Sequence, residues 1–256
     1  QPHVANINSI YPMNIENFAD AAGIAYAKAE IYEHLRGPEI AIYNADTNHA
    51  EILAAQAKAC GAKSILSFGR AGNAAVLQAL QPQAQGQTVV ATVGGQRLEF
   101  GLSQAGEAPA LNALNILTVC HALGLDLPTA AGHLAALQPL PGRGQELRLN
   151  LPTGPLTLID DSYSGQPAAM ALALQGLAGR AVPGRRVAIL GQMAELGEHS
   201  AAEHTKIGQL LATLNLDAVY FVGEPMRTAQ AQLASAQPQA FFANKDDLAA
   251  ALPTLL

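Results

Sequence analysis

The sequence predicts an α/β protein in two parts: a mixed sheet with helices over residues 1–140, then a Rossmann-like domain over 141–256. Three observations lead there. Short β-branched runs alternate with helical stretches at both ends of the chain, the pattern of parallel βαβ units. Between them lie three strand-like runs, two joined by Gly94-Gly95, a hairpin signal. The stretch Leu140 to Gly144 (LPGRG) packs Pro and Gly between regular segments and reads as the boundary.

Each element follows from its local pattern. Val4 to Ile10 is apolar and β-branched, a buried strand. A helix over about Ala19 to Leu35, a strand over Glu39 to Ala45, a helix over His49 to Cys60 and a strand over Lys63 to Phe68 complete a β-α-β-α-β run. AAVLQAL, QTVVATV and QRLEFGL are the three central strands, followed by helices over Pro109 to Leu123 and Pro128 to Leu137. After the boundary, PLTLIDD, RRVAILG, DAVYFVG and QAFFA alternate with helices over Pro167–Leu177, Ser200–Leu214, Pro225–Ala234 and Asp246–Leu255. Four βα units in this space define a doubly wound arrangement.

Composition narrows the function. Half of the 256 residues are hydrophobic and 13% are charged, which excludes disorder. A net charge of −6 with no basic run argues against nucleic acid and anionic membrane as partners. No apolar run reaches the roughly 20 residues of a membrane span. Cys60 and Cys120 stand far apart, two reduced, buried thiols rather than a disulfide or zinc framework. These features read as a cytoplasmic protein. Gln1 rather than Met opens the chain, which reads as a piece of a longer one.

Several residues could carry chemistry. With Ile24 at zero and about 100° per residue, Ile31 falls near −20°, Leu35 near +20° and Lys28 near +40°. Lys28 therefore lies within the apolar stripe: either its stem snorkels to solvent, or it is buried for a purpose, paired with a carboxylate or converted to an anion; its place on the stripe predicts it at least largely buried, with its head group directed at a polar cavity shared with Glu16. Asp160-Asp161 ends the strand LTLI, and Ser162-Tyr163 leads toward a helix; the alternatives are a ligand site at a strand's carboxyl end and a plain turn and cap. Asn44 and Asp46 close their strand in the same way. Asn112 and Asn115 lie on a largely apolar helix, where amides need partners. His204, three residues before Ile207 in a helix, reads as a packed core or surface histidine rather than a ligand. No histidine pair has metal spacing, and GxxxxGK[ST], the phosphate-cradling loop, occurs nowhere in the 256 residues.

Taken in order, VANINSI…IENF…IAYAKAEI, NADTNH, ALNALNIL, PGRG, LIDDSYSGQPAAM and ILGQMAELGEHSAAEH resemble segments of the Mur ligases; the last two are specific to the MurF branch of that family. The resemblance covers nearly the whole chain. It implies the second half of the family's central ATPase-like domain, without the P-loop, followed by most of its C-terminal domain. It places Lys28 on a lysine that is carbamylated and, with Glu16, helps hold Mg²⁺, which suits a carboxylate-like oxygen. It places Asn44 at a nucleotide-side strand end, Asn112 on the adenine ring, Arg143 on the ATP phosphates, and Asp161 and Tyr163 on the nucleotide. Lys28 and Arg143 would be catalytic. Asn14, Ala108, Ser164, Gln166 and Gln192 depart from the pattern.

The implied function is an ATP-dependent amide ligase of peptidoglycan precursor synthesis. It adds D-alanyl-D-alanine to UDP-MurNAc-tripeptide through an acyl phosphate, with ATP and Mg²⁺ as cofactors. The alternative is a Mur-ligase-like binding protein that has lost the chemistry; a folylpolyglutamate-synthetase-like ligase is a third option, against which DDSY and MAELG argue. Without a phosphate cradle, the 256 residues alone are expected to be inactive.

Overall fold

A computed structural model describes residues 2–11, 17–35, 37–83 and 86–255, which fall into two compact units parting between Pro139 and Leu140. Each unit has its own core.

In the first unit, six strands form one sheet in chain order: β1 (Val4–Ile7), β2 (Gly37–Asn44), β3 (Ala62–Gly69), β4 (Ala75–Pro82), β5 (Gln87–Val93) and β6 (Gln96–Leu102). Strands β1 to β3 run parallel, and their crossovers are α1 (Ala21–Ala29) and α2 (Ala50–Ala59). Strands β4 to β6 are antiparallel. Gly94 and Gly95 join β5 to β6 with φ of 56° and 81°; a two-residue hairpin loop with both φ positive matches the strand twist, and glycine adopts it without strain. Side chains alternate along a strand, so Ile40 and Ile42 of β2 face the core that also takes Phe68, Leu77, Val89 and Phe100. The helices α3 (Glu107–Ala122) and α4 (Leu127–Leu134) close that core with Leu114, Leu117 and Leu134. Asp126 caps α4 by accepting from the Thr129 N–H at 2.9 Å, and Pro128 sits in its first turn, where no donor is lost.

The long helix expected over Ala19 to Leu35 is shorter. It begins after Asp20, whose carboxylate caps the Gly23 N–H at 2.9 Å, and after Ala29 it tightens into a 3₁₀ turn over Glu30–Tyr32. Tyr32 and Leu35 are fully buried, and the Tyr32 hydroxyl donates to the Ile42 carbonyl at 2.8 Å. Ile31, expected on the apolar stripe, is 49% exposed. The tighter turn changes the rotation per residue, so a stripe drawn at constant pitch misplaces it.

The second unit begins with a hairpin: β7 (Gln145–Leu151) pairs with β8 (Gly154–Asp160) across the two-residue loop Pro152-Thr153. A three-stranded parallel sheet follows, β9 (Val187–Gly191), β10 (Ala218–Val222) and β11 (Gln239–Phe242), with β10 in the middle. Here the sequence reading is corrected. β8 was expected as the first strand of the parallel sheet, but it pairs antiparallel with β7, an element that reading missed. In QELRLNL, leucines alternate with polar residues, a half-buried strand signal; Leu147 lies opposite Leu158 and Leu149 opposite Leu156. Val219 and Phe221 of β10 face α5 (Pro167–Ala178), α6 (Ser200–Thr213) and α7 (Met226–Gln230), while Ala218 and Tyr220 face α8 (Lys245–Leu255). Helices on both faces of a parallel sheet make this unit Rossmann-like.

Two helical glycines test how tightly this unit packs. A Cβ on Gly208 of α6 would lie 2.3 Å from the Ala229 carbonyl oxygen of α7, whereas one on Gly176 of α5 would meet nothing within 4 Å. Alanine gains roughly 1 kcal/mol over glycine in a helix interior, and overpacking costs roughly 1–3 kcal/mol. Gly208→Ala is expected to lower the free energy of urea unfolding, and Gly176→Ala to raise it by up to about 1 kcal/mol. Equal shifts of the same sign would show that α6 and α7 are not in this close contact.

Candidate functional site

In the first unit the carboxyl ends of the parallel strands are laced together. The Asn44 side chain, 6% exposed, accepts the Asp46 N–H at 2.9 Å, turning the chain at the end of β2. The Asp46 carboxylate then accepts the Arg70 N–H at 2.5 Å and the Ala71 N–H at 3.0 Å, fastening the loop after β3. Gly69 suits the position because its φ of 137° is one that side-chain-bearing residues rarely adopt, and a Cβ would also crowd the Asp46 carboxylate, 2.5 Å from an oxygen. Thr47 ties the same end to the segment after β1: its hydroxyl oxygen lies 2.6 Å from the Ile10 N–H, which donates to it. The Asn44 side-chain oxygen thus has a turn to hold.

Asn112 and Asn115, three residues apart on α3, face one side of the helix, and their partners come from β1 and its extension. The Asn6 Nδ2 donates to the Asn115 Oδ1 at 2.5 Å, the Asn115 Nδ2 to the Asn8 Oδ1 at 3.0 Å, and the Asn8 Nδ2 to the Asn112 Oδ1 at 2.9 Å. Sequence reasoning asked for partners to the two helical amides but missed Asn6 and Asn8. The available signal was Asn-x-Asn at the end of a strand, which puts both amides on one face.

Lys28 corrects an expectation. It was expected to be largely buried, and it is exposed. It lies on the arc that buries Ile24 and Tyr32, yet its head group reaches a cleft of about 280 Å³ lined by Asn6, Ile7, Asn8, Ser9 and Ile31. An unpaired ammonium is costly in a core, and a four-carbon stem lets it escape. Glu16 and Asn14 lie outside the described residues. Among the described residues no three His, Cys, Asp or Glu side chains gather as a metal site. The cleft brings amides and a hydroxyl but no described carboxylate, and an ammonium repels a divalent cation. The described residues as they stand do not make a Mg²⁺ site.

In the second unit three expected residues do come together. Gly142, at φ 73°, is buried and accepts the Tyr163 N–H at 3.0 Å; a Cβ there would lie 3.0 Å from Tyr163. The Gly144 N–H donates to the Asp160 carbonyl at 2.8 Å. These bonds hold the boundary loop against the end of β8, so the Arg143 guanidinium lies 4.2 Å over the Tyr163 ring, a cation–π contact. Tyr163 is 68% exposed, so this cationic platform is open to solvent.

The adjacent carboxylates differ. Asp160 accepts from the Ser162 hydroxyl at 2.6 Å and from the Ser162 N–H at 3.1 Å, and these bonds hold its carboxyl below the usual range. Burial pushes the Asp161 carboxyl up, the Asp160 charge adds to this, and the Arg143 guanidinium opposes it. ¹³C NMR of the carboxyl groups is therefore expected to show Asp161 titrating above about 3.9 and Asp160 below it. Arg143→Ala should move Asp161 further up; an unmoved Asp161 would mean that the guanidinium does not face it. The linked stabilities have opposite signs. Asp160 favours the fold above its unfolded pKa, a contribution lost as pH falls through the depressed folded value. Ionised Asp161 costs the folded state, a cost relieved as pH falls through its raised value.

His204 is fully buried. Its Nε2 accepts the Met193 N–H at 3.1 Å, so the proton sits on Nδ1, which donates to the Ser200 carbonyl at 2.8 Å. The run MAELGEHSAAEH is thus a clamp: the histidine of α6 holds the loop leaving β9, where Glu195 and Gly197 take φ of 59° and 50°. Of the two places expected for it, core and surface, His204 takes the core.

The comparisons with known proteins agree with this architecture. Residues 1–122 match the Mur ligase middle domain and residues 142–255 the Mur ligase glutamate ligase domain. The chain belongs to the Mur ligase family. Within it, the chain is 31% identical over 223 residues to the UDP-N-acetylmuramoyl-tripeptide--D-alanyl-D-alanine ligase of Haemophilus influenzae, covering 87% of this chain and 47% of that one. The crystal structure of MurF from Acinetobacter baumannii superposes with a TM-score of 0.87 at 29% identity, over 100% of this chain and 53% of that one. MurF from Thermotoga maritima in complex with ADP gives 0.79 at 25% identity, over 100% and 56%. The chain spans about half the length of the curated relatives it matches. No helix among the described residues is long and apolar enough to cross a membrane.

Proposed function

We propose that this chain carries nucleotide contacts of a MurF-type ligase, an enzyme that joins D-alanyl-D-alanine to UDP-N-acetylmuramoyl-tripeptide at the expense of ATP. The observation that carries the reading is the convergence of Arg143, Tyr163 and Asp161 on one solvent-facing platform. The similarity to ligases of that name, one holding ADP, supports it.

ATP, when bound, supplies the phosphoryl group that activates the peptide carboxylate as an acyl phosphate, which the D-alanyl-D-alanine amine opens to the amide. Phosphoryl transfer leaves the protein mainly positioning and charge stabilisation to perform. Arg143 is suited to both. Its guanidinium is always charged and matches phosphate geometry in a bidentate fork. The Tyr163 ring and the bonded loop hold it before the ligand arrives. Asn112 offers an amide to the base. The Mg²⁺ role proposed for Lys28 with Glu16 needs the lysine as a carbamate. ¹³C-bicarbonate should then give a carbamate signal that vanishes in Lys28→Ala; a spectrum without that signal rejects the role.

The function is tested on the natural reading frame that contains these residues, purified and supplied with UDP-N-acetylmuramoyl-tripeptide, D-alanyl-D-alanine and Mg-ATP. Mass spectrometry should show the pentapeptide product, with one ADP and one phosphate released per amide. ATP consumption indifferent to D-alanyl-D-alanine, or no gain in mass, would reject the reading. The 256 residues alone, having no GxxxxGK[ST], should release phosphate at the buffer blank.

A further inference from the structure

The four amides that join β1 to α3 form a row with a direction. Asn6 donates to Asn115, Asn115 to Asn8 and Asn8 to Asn112. At the inner end the Asn6 Oδ1 is buried with no hydrogen-bond partner among the described residues. At the outer end Asn112 is exposed. An amide has one acceptor oxygen and one donor nitrogen, so the row can run in two directions. Run the other way, every amide turns over and the unpartnered buried atom becomes the two-proton Nδ2 of Asn6. Orphaned buried N–H groups are rarer than orphaned carbonyls. The buried end therefore sets the direction, and the direction leaves the Asn112 Nδ2 pointing outward as a donor.

We propose that Asn8 and Asn115, backed by Asn6, are positioning residues for Asn112: the row fixes which end of its amide faces outward and so selects a base edge that presents a hydrogen-bond acceptor. This rests on the reading of Asn112 as a base contact. Neighbouring amides along such a row also polarise one another. The row acts as a single unit, and inverting any inner member inverts the outer one. Aspartate has the shape of asparagine but accepts only. With Asn8→Asp, the carboxylate draws the Asn112 Nδ2 inward and its oxygen faces the ligand. With Asn115→Asp, Asn8 turns its donor inward, and Asn112 inverts in response.

The experiment follows the side-chain amide resonances of the ¹⁵N-labelled 256-residue chain during titration with adenosine, a neutral probe that an added carboxylate does not repel. In the unmodified chain adenosine should shift the Asn112 amide pair. Asn8→Ala should weaken binding roughly 3- to 10-fold, the worth of one hydrogen bond. Asn8→Asp, though closer in shape, should weaken it more than Asn8→Ala does. Asn115→Asp, one amide further from Asn112 along the row, should weaken it as Asn8→Asp does. Backbone amide spectra check the fold of each variant, and if one Asn8 variant unfolds, Asn115→Asp against Asn115→Ala gives the same comparison. Unchanged adenosine binding in all variants overturns the row and leaves Asn112 its role. Alanine worse than aspartate shows that the amides only fill space and overturns the row as well. No response of Asn112 in the unmodified chain removes the base contact and the inference with it.

Discussion

Replacing Arg143 with alanine is expected to lower amide formation by on the order of 10³-fold, the lower end of what one arginine supplies to a phosphoryl transfer state. The loop that carries it should survive. Its bonds are backbone to backbone, from Arg143 N to the Leu140 carbonyl, Tyr163 N to the Gly142 carbonyl and Gly144 N to the Asp160 carbonyl. The side chain adds a contact with an exposed ring, worth about 0.5–1 kcal/mol, so the urea midpoint should hardly move. Arg143→Lys keeps the charge and loses the fork and the stacking, and should fall between the two. Steady-state kinetics on the complete reading frame decide the matter: the loss belongs in kcat, with the KM for D-alanyl-D-alanine nearly unchanged. Turnover within tenfold of the unmodified enzyme would remove Arg143 from the phosphate contacts.

The second large effect concerns stability. His204→Ala leaves the Met193 N–H and the Ser200 carbonyl without their side-chain partner and opens a hole where a fully buried ring stood. A buried polar group left unpaired costs about 1–3 kcal/mol, and large-to-small changes in a core add a cavity term. A loss of roughly 3–5 kcal/mol in urea unfolding is expected. Hydrogen exchange at the Met193 amide should accelerate more than that at α6 amides. A loss under about 1 kcal/mol, or an unchanged Met193 amide, would mean that the loop after β9 is held by something else.

Most of the fold was legible because its signals are local. The βα alternation, Gly94-Gly95 and the boundary at Leu140 to Gly144 each depend on residues close in sequence. The pairing of β8 was not legible that way. Its apolar run fits a parallel strand, and only the alternating leucines of β7, across Pro152-Thr153, identify its partner. Among the site residues, Arg143, Asp161 and Tyr163 meet because the loop and the end of β8 are stitched by main-chain bonds, which a list of side chains does not reveal. The burial of Lys28 failed for another reason. A helical wheel locates a Cα, while a lysine head group lies several bonds beyond it. Asn6 and Asn8 escaped notice because polar residues at a strand end look like solvent-facing turn residues until α3 supplies their partners.

The strand order carries a consequence for how the chain acquires its structure. In the six-stranded sheet each strand's neighbours in space are its neighbours in sequence, and β9, β10 and β11 repeat the rule. No strand has to wait for a late segment to slip between two earlier ones. Short separations between contacting residues lower the loop-closure cost and speed folding. During synthesis each strand of the described sheet can therefore add to the edge its predecessor presents as it emerges. Domains made vectorially in this way assemble from the amino end, and the ribosome's pace, rather than a search among distant partners, would set the order of events.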